Sequence, residues 1–267
     1  MVTTNWLKQA AEPLYENILW SKPENALHAG KLLVVGGNSH GFSAPAEAYQ
    51  YALSAGIGSV RAVLPDAVRK LVHTLLPTCE YLPSTVSGSF AQKGLNELLA
   101  FSSSTDGVAM AGDFGRNSET AILLETFMQK YQGPVALTRD AVDYFSHRPE
   151  ILFERERTLI VVSLAQLQKL SLHANMQRAI TFNMDILALV DILQDITTRY
   201  PLHIIVKQLE TIHVASGGKV SSTRLAEDLD IWRLQTAISS MVFWLHNPNK
   251  PFEAFTTAVH TLNSSGS

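Results

Sequence analysis

The chain has a single cysteine, Cys79, among 267 residues. An internal disulfide needs two cysteines and a thiolate zinc site needs more, so neither can form. A lone free cysteine is usually a small buried residue, and no neighbour in the sequence marks this one as a nucleophile. The nine histidines show no metal-ligand spacing either, and we expect no metal site.

Runs of one charge and long apolar runs are also missing. The net charge is -3, the pI is about 6.3, and no cluster of lysine and arginine forms the basic stripe typical of nucleic-acid binding. No run of about 18 apolar residues occurs, and the first residues have no apolar segment of signal-peptide length. We therefore expect no nucleic-acid partner, no membrane partner and a cytoplasmic location.

The composition suits one large folded unit. Hydrophobic residues make up 46% of the chain and charged residues 17%, which is enough for a sizeable core. No internal repeat and no low-complexity linker divides the sequence. We expect a single domain over residues 1–262 and a flexible tail over residues 263–267.

The most informative segment of the sequence runs from Lys31 to Pro65. It reads as a buried strand Leu32–Val35, a glycine turn, a helix of small residues over about Ala44–Ser54 and a second strand Ser59–Leu64, which together form a βαβ unit. Glycines before a helix let a ligand approach the backbone amides at its positive end. The segment predicts a pocket for an anionic or nucleotide-like ligand.

Two standard phosphate-binding motifs do not fit this segment. Gly36 and Gly41 have P-loop-like spacing, but Phe42 stands where that loop requires lysine. The stretch from Gly56 to Arg61 lacks the last glycine of a dinucleotide fingerprint and lies at the end of a helix.

Apolar strand-like runs and helical segments alternate along the rest of the chain, which predicts a mostly parallel sheet covered by helices on both faces. The further predicted strands are Gly107–Ala111, Val135–Leu137, Thr158–Val162 and His203–Lys207, with Thr211–Ala215 returning as a hairpin arm. The further predicted helices are Ala67–Leu75, Gln92–Phe101, Ser118–Tyr131, Asp140–Ser146, Leu164–Leu170, Met184–Tyr200, Leu234–Trp244 and Phe252–Leu262.

Ligands of such sheets lie outside the carboxyl ends of the strands. Polar residues at those ends include Asp113, Asp140 and Lys207. The two aspartates are read either as ligand contacts or as loop residues and helix caps. The lysine is read either as a phosphate contact or as a surface lysine.

The segment from Lys31 to Pro65 resembles the opening of the NAD(P)H-hydrate dehydratase family, ribokinase-like repair enzymes that remove water from hydrated nicotinamide cofactors at the expense of ADP or ATP. That family has a glycine-glycine-serine turn, an aromatic-x-glycine-alanine helix start, an alanine-rich helix, glycine-x-glycine and a strand ending in proline. The matching positions are Gly36, Gly37, Phe42, Gly56, Gly58 and Pro65, and the departures are Asn38, Ser43 and Pro45.

Weaker resemblance continues from about residue 25 to 262. Asp106–Gly115 resembles the family's strand and glycine-rich turn, and Pro134–Val142 resembles the strand before an aspartate-alanine-aspartate, with Thr138 replacing the first aspartate and Asp140 keeping the second. Ile205–Lys207 resembles a strand ending in lysine-glycine, with Gln208 replacing the glycine. Pro251–Ala254 resembles the start of the final helix.

The departures fall where the family's chemistry lies. A histidine and a glutamate of the family correspond to Ser163 and Gln166. The glycine-rich loop that supplies the family's amide anion hole and catalytic aspartate corresponds to residues 230–235, so that Gln235 takes the place of the aspartate. Shifting the alignment brings Asp228 or Asp230 near the site but restores no glycine. Neutral glutamine cannot act as a general base, and bulky side chains keep a phosphate off the backbone.

The resemblance implies a single three-layer ribokinase-like α/β domain and a site for ADP or ATP and an NAD(P)H-like ligand. By resemblance, the ligand-binding residues are Gly36, Gly37, Asn38, Phe42, Asp113, Gly115, Asp140 and Lys207. We expect a divergent, pseudoenzyme-like member with lost or altered catalysis and at most a residual nucleotide-like pocket. An active hydrate dehydratase and a small-molecule kinase of the same fold stay open as alternatives, and the resemblance leaves a homo-oligomer open.

Overall fold

The computed structural model describes residues 5–72, 76–173, 179–225 and 232–264. Their strands form one sheet, in which short apolar runs supply the central strands because both faces are covered. In chain order the ten strands of this described part are β1 (Trp6–Lys8), β2 (Lys31–Gly36), β3 (Ser59–Pro65), β4 (Cys79–Leu82), β5 (Gly107–Gly112), β6 (Val135–Thr138), β7 (Thr158–Ser163), β8 (His203–Gln208), β9 (Thr211–Ser216) and β10 (Lys219–Arg224).

The strand order is β1-β10-β9-β8-β7-β6-β5-β2-β3-β4. Strand β9 pairs antiparallel with β8 and β10, whereas the other pairs are parallel. The six strands predicted as parallel neighbours, β3, β2, β5, β6, β7 and β8, are consecutive in the sheet. The predicted hairpin between β8 and β9 is also present. The carboxyl ends of β2, β5, β6 and β7 therefore meet at one rim of the sheet.

Helices cover both faces of the sheet. They are α1 (Glu16–Leu19), α2 (Ser43–Ala55), α3 (Arg69–Val72), α4 (Leu95–Ser103), α5 (Ser118–Lys130), α6 (Asp140–Asp143), α7 (Glu150–Phe153), α8 (Leu164–His173), α9 (Ile186–Arg199), α10 (Trp232–His246) and α11 (Pro251–Ser264), with 3-10 turns at Ala26–His28, Asp66–Val68 and Gln92–Gly94. Within the described ranges, no helix has the length and apolarity needed to cross a bilayer.

Alternation along the strands separates two apolar cores. Leu33 and Val35 of β2 contribute to a core with α5, α8 and α9, whereas Leu32 and Val34 contribute to a core with α2, α10 and α11. Successive strand side chains point to opposite faces, so a continuous apolar run serves both cores. The three-layer α/β architecture predicted from the sequence is confirmed.

Three strands were not predicted from the sequence, because none of them is a buried apolar run. Strand β1 has three residues and is largely exposed, β4 is only half-buried, and β10 has the polar sequence Lys-Val-Ser-Ser-Thr-Arg. The predicted helix Ala67–Leu75 is instead a 3-10 turn followed by α3, which ends at Val72, and residues 73–75 lie outside the described ranges. Helix α11 continues to Ser264, and the rest of the predicted tail, residues 265–267, also lies outside them.

Arg155 holds together the loops that enter two central strands. Its guanidinium donates to the carbonyls of Met128, Tyr131 and Gly133 before β6, and also to the Glu156 and Arg157 carbonyls and the Thr158 hydroxyl at the start of β7. Burial lowers the pKa of Arg155 to about 10, so the group stays charged at neutral pH. Arg155 is therefore a clamp that fixes the loops leading into β6 and β7.

We expect Arg155→Leu to lower the free energy of unfolding by about 2 to 4 kcal/mol, because it removes six hydrogen bonds, several of them partly buried. Urea unfolding followed by circular dichroism measures this change. Arg148→Leu is the matched control, since Arg148 is exposed and contacts the exposed side chain of Glu150. Equal effects of the two substitutions would contradict the clamp.

Candidate functional site

The glycine turn after β2 approaches the end of β5 very closely. The Gly37 amide donates to the Gly112 carbonyl at 3.0 Å, and a Cβ on Gly36 would collide with the same oxygen. Gly37 has φ +90°, and a Cβ there would lie 3.0 Å from Leu64 Cδ2. Both glycines are thus required by the packing of the strands themselves.

The rest of this turn is held by internal hydrogen bonds. The Asn38 amide donates to Gly41 O at 2.8 Å, and the Asn38 side chain donates to the Asp113 carbonyl at 2.6 Å. Phe42 precedes α2 and packs against the core on that side. The predicted ligand residues of the front turn are therefore all engaged in the fold.

The positive end of α2 is capped by a carboxylate from another strand. Asp113, which directly follows β5, accepts from the Ala44 amide at 2.8 Å and from the Ser43 hydroxyl at 3.3 Å through Oδ2. A carboxylate at this position satisfies free helix amides and interacts favourably with the helix dipole. Asp113 therefore occupies the place where the sequence predicted a ligand anion.

The other oxygen of Asp113 forms an ion pair across two strand ends. Oδ1 lies 3.0 Å from Arg139 Nη2, and Arg139 directly follows β6. Both residues have a left-handed backbone, with φ +60° at Asp113 and +57° at Arg139. Non-glycine residues in this region are strained, by roughly 1 to 3 kcal/mol each, and such strain concentrates at functional sites.

Asp140 begins α6 beside this pair and is only partly satisfied. Its Oδ2 accepts from the Gly115 amide at 3.1 Å, whereas its buried Oδ1 has no hydrogen-bond partner within the described ranges. Burial is the main cause that raises the pKa of Asp140, the Gly115 hydrogen bond opposes it, and the negative charge of Asp113 adds to it. A carboxyl group in this state can hold or donate a proton closer to neutral pH.

Asp140 and Gly115 also line a cavity of about 720 Å³ next to the rim. Tyr144 shapes its wall, since its hydroxyl donates to Gly115 O at 2.8 Å and accepts from the Asn117 amide at 3.3 Å. The lining includes Asn117, Asp143, His147 and Lys169. The cavity combines an apolar wall with acidic and basic groups, as ligand sites do.

Gln166, in the first turn of α8, connects the ends of β6 and β7 with the start of α10. It forms a capping box with Ser163 at the start of α8, in which the Ser163 amide donates to Gln166 Oε1 at 3.2 Å and the Gln166 amide donates to Ser163 Oγ at 3.2 Å. Gln166 Nε2 donates to Arg139 O at 2.7 Å, and Gln166 Oε1 accepts from Arg233 Nη1 at 3.0 Å. The position that resembles a glutamate of the family is here a structural amide.

The start of α10 faces this corner. Gln235 is half-buried in the first turn of the helix, after Trp232 and Arg233. The residues before Trp232, including Asp228 and Asp230, lie outside the described ranges. Lys207 lies farther along the rim, in β8, where it pairs in register with Ser163 of β7.

The structure thus brings together some of the predicted residues and not others. Asp113, Gly115 and Asp140 share the rim at β5 and β6, whereas the front-turn residues serve packing and Lys207 lies apart from the cavity. Sequence reasoning missed Arg139, Tyr144, Lys169 and Arg233, because no local motif marks residues that meet only through the sheet. Within the described ranges, no group of three or more histidine, cysteine or acidic residues could hold a metal ion.

Comparisons with known proteins support the fold. No protein-family model matches the chain. The bifunctional NAD(P)H-hydrate repair enzyme Nnr of Methanothermobacter thermautotrophicus is 29% identical over 119 residues, which are 42% of this chain and 22% of that protein. The match thus spans about a fifth of the length of this curated relative.

Solved structures cover nearly the whole chain. A ribokinase-like superfamily protein from Enterococcus faecalis has a TM-score of 0.73 at 13% identity, covering 98% of this chain and 88% of that one. The ADP/ATP-dependent NAD(P)H-hydrate dehydratase of Bacillus subtilis, co-crystallized with ATP and Mg²⁺, has a TM-score of 0.64 at 13% identity, with 94% and 87% covered. A phosphomethylpyrimidine kinase from Clostridium difficile has a TM-score of 0.53 at 10% identity, with 88% and 99% covered. The chain has the ribokinase-like fold.

Asp140→Asn should raise the melting temperature at pH 7. The folded-state pKa of Asp140 is raised above that of the unfolded chain, so its ionisation costs stability as the pH rises through the folded-state value. An amide removes this cost, and its advantage should vanish below about pH 4, where the carboxyl is protonated in both states.

Thermal unfolding between pH 3.5 and 8 measures the difference. Asp185→Asn makes the same chemical change at the cap of α9 and is the control, for which we expect no gain at pH 7. A lower melting temperature of Asp140→Asn at pH 7 would contradict our account of Asp140.

Proposed function

We propose that this chain is a divergent relative of the ADP/ATP-dependent NAD(P)H-hydrate dehydratases, which binds a nucleotide-like ligand and has lost or altered the dehydration chemistry. The observation that carries this proposal is the first turn of α10, where Trp232, Arg233, Leu234 and Gln235 replace the glycines and the aspartate of the family's pattern. Side chains here keep a phosphate away from the backbone amides. The neutral amide of Gln235 cannot accept a proton at neutral pH.

The ligand-binding part of the proposal rests on the cavity beside Asp140. Its volume of about 720 Å³ lies within the range of small-molecule sites, about 300 to 1,000 Å³. The lining includes Asp140, Lys169 and His147, which supply polar groups that a ligand in this space can contact. ADP or ATP and an NAD(P)H-like molecule are the ligands that the resemblance suggests. A cytoplasmic location, which the sequence led us to expect, and a homo-oligomer, which the resemblance leaves open, complete the proposal.

One observation favours an active dehydratase with a rearranged site as the second candidate. Asp140 lines a cavity and burial raises its pKa, so in this candidate its carboxyl group carries out the proton transfer that the missing aspartate performs in the family. A kinase of the same fold needs the same anion hole and base at α10, so the same replacements weigh against it.

We expect no measurable ADP- or ATP-dependent conversion of hydrated NADH. The assay follows cofactor absorbance under conditions in which an intact relative turns over, because loss of the amides and the base should lower the rate by orders of magnitude. Turnover within about tenfold of that relative would contradict lost catalysis. If turnover is found, its loss in Asp140→Asn would support the rearranged site.

Ligand binding is tested separately with a thermal-shift panel of ATP, ADP, NAD and NADP. We expect at least one of them to raise the melting temperature, since saturation at about a hundred times Kd adds about 2.7 kcal/mol. Asp140→Asn should weaken the shift, whereas the control Asp185→Asn should keep it. No shift with any of the four ligands would contradict a nucleotide-binding role.

A further inference from the structure

Two basic side chains that line the cavity beside Asp140 have no partner within the described ranges. Arg116 lies in the turn between β5 and α5, and His147 lies between α6 and α7. Neither side chain forms a hydrogen bond or an ion pair with another described residue. Both are exposed, so their N–H donors remain available to an anion that enters the cavity.

The cavity collects basic groups from three separate parts of the fold. Lys169 of α8 lines it together with Arg116 and His147, although the three residues are far apart in the chain. A general excess of cations does not explain this grouping, because the net charge of the chain is -3. Polar groups that converge on one concave space from distant segments are typical of a ligand site.

The two acidic residues of the lining differ in their availability. Asp140 Oδ2 already accepts from the Gly115 amide at 3.1 Å, and burial raises the pKa of Asp140, which reduces its negative charge. Asp143 is exposed and can accept hydrogen bonds from hydroxyl groups. The lining therefore suits a ligand that carries both an anionic group and hydroxyl groups.

An apolar wall completes the cavity. The Tyr144 hydroxyl donates to Gly115 O and accepts from the Asn117 amide, and the ring of Tyr144 packs edge-on against Phe114 with centroids 6.2 Å apart. These contacts fix the Tyr144 ring before a ligand binds. Leu172 of α8 lines the same space and is 70% exposed. A flat ligand ring packed on this wall removes apolar surface from water.

We propose that the cavity binds a phosphate compound that carries a flat ring, such as a nucleoside diphosphate. Arg116, His147 and Lys169 bind its phosphate, because guanidinium and ammonium groups form charge-assisted hydrogen bonds with phosphate oxygens. Tyr144 and Leu172 pack against its ring. This inference rests on the proposed function and adds to it the residues that recognise each end of the ligand.

Isothermal titration with ADP, pyrophosphate and adenosine tests the phosphate contacts. Arg116→Gln and His147→Gln each change an exposed side chain that has no partner to lose within the described ranges. We expect each variant to bind ADP and pyrophosphate about tenfold more weakly, since each loses a charge-assisted hydrogen bond. Adenosine, which has no phosphate, should bind both variants as it binds the wild-type protein.

Leu172→Ser tests the ring contacts with the same three probes. Because Leu172 is largely exposed, the substitution should leave the fold intact. We expect ADP and adenosine to bind about threefold to tenfold more weakly, since part of the apolar contact is lost. Pyrophosphate, which has no ring, should bind unchanged, whereas general damage to the cavity would weaken all three probes.

Further variants control for the charge changes. Arg224→Gln, at an exposed arginine of β10 that contacts Glu210, and His28→Gln, at an exposed histidine before β2, should leave all three affinities unchanged. Asp143→Asn removes a negative charge from the lining and should tighten pyrophosphate binding about threefold. Equal losses in Arg116→Gln and Arg224→Gln, or weaker pyrophosphate binding in Asp143→Asn, would contradict phosphate recognition in the cavity.

The outcomes distinguish this inference from the proposed function. Undiminished ADP binding by both Arg116→Gln and His147→Gln would overturn the phosphate contacts and leave nucleotide binding standing. Pyrophosphate binding as tight as that of ADP, with no effect of Leu172→Ser on either, would overturn the ring contacts. No binding of any of the three probes to the folded wild-type protein would overturn both the inference and the proposed ligand.

Discussion

The carboxylate of Asp113 is the interaction on which the rim depends. It reaches from the end of β5 to the first amides of α2 and, with its other oxygen, to Arg139 at the end of β6. A helix end left without acceptors would carry unsatisfied donors and partial positive charge into the rim. The Asp113 side chain therefore accepts from the amides of α2, connects three elements and positions the Arg139 guanidinium. In return, the backbone is strained at both Asp113 and Arg139.

This contact also decides where an anionic ligand can bind. The glycine turn and the N-terminus of α2 form an anion site only if no internal anion is present, and Asp113 is such an anion. Gly36, Gly37 and Asn38 then serve the close approach of β2 to β5. The ligand region that we propose therefore lies across the rim, at Asp140 and the cavity beside it.

The sequence alone was sufficient to predict elements that show a local pattern of residues. The central strands carry apolar runs and were predicted within one or two residues, whereas β1, β4 and β10 are short, half-exposed or polar and show no such run. At the site, Asp113 and Asp140 were both ambiguous between cap and ligand contact. The structure distinguishes the two roles. Asp113, at the end of β5, caps helix α2, whereas Asp140 keeps an oxygen without a hydrogen-bond partner in the described ranges. The contacts of Gln166 with the Arg139 carbonyl and the Arg233 guanidinium join distant parts of the chain and leave no local signal.

Under the proposed function, binding and catalysis make different demands on the corner where Gln166 meets Arg233. Backbone amides around a glycine loop are rigid donors aimed at developing charge, and they lower a barrier because they need no rearrangement. Side chains that bind the ground state and the transition state equally well contribute affinity rather than rate. Gln166 accepts a hydrogen bond from the Arg233 guanidinium, and neither Gln166 nor Gln235 can accept a proton at neutral pH. A corner with a cation but no proton acceptor is suited to hold a ligand rather than to convert it, which is the role proposed for this chain.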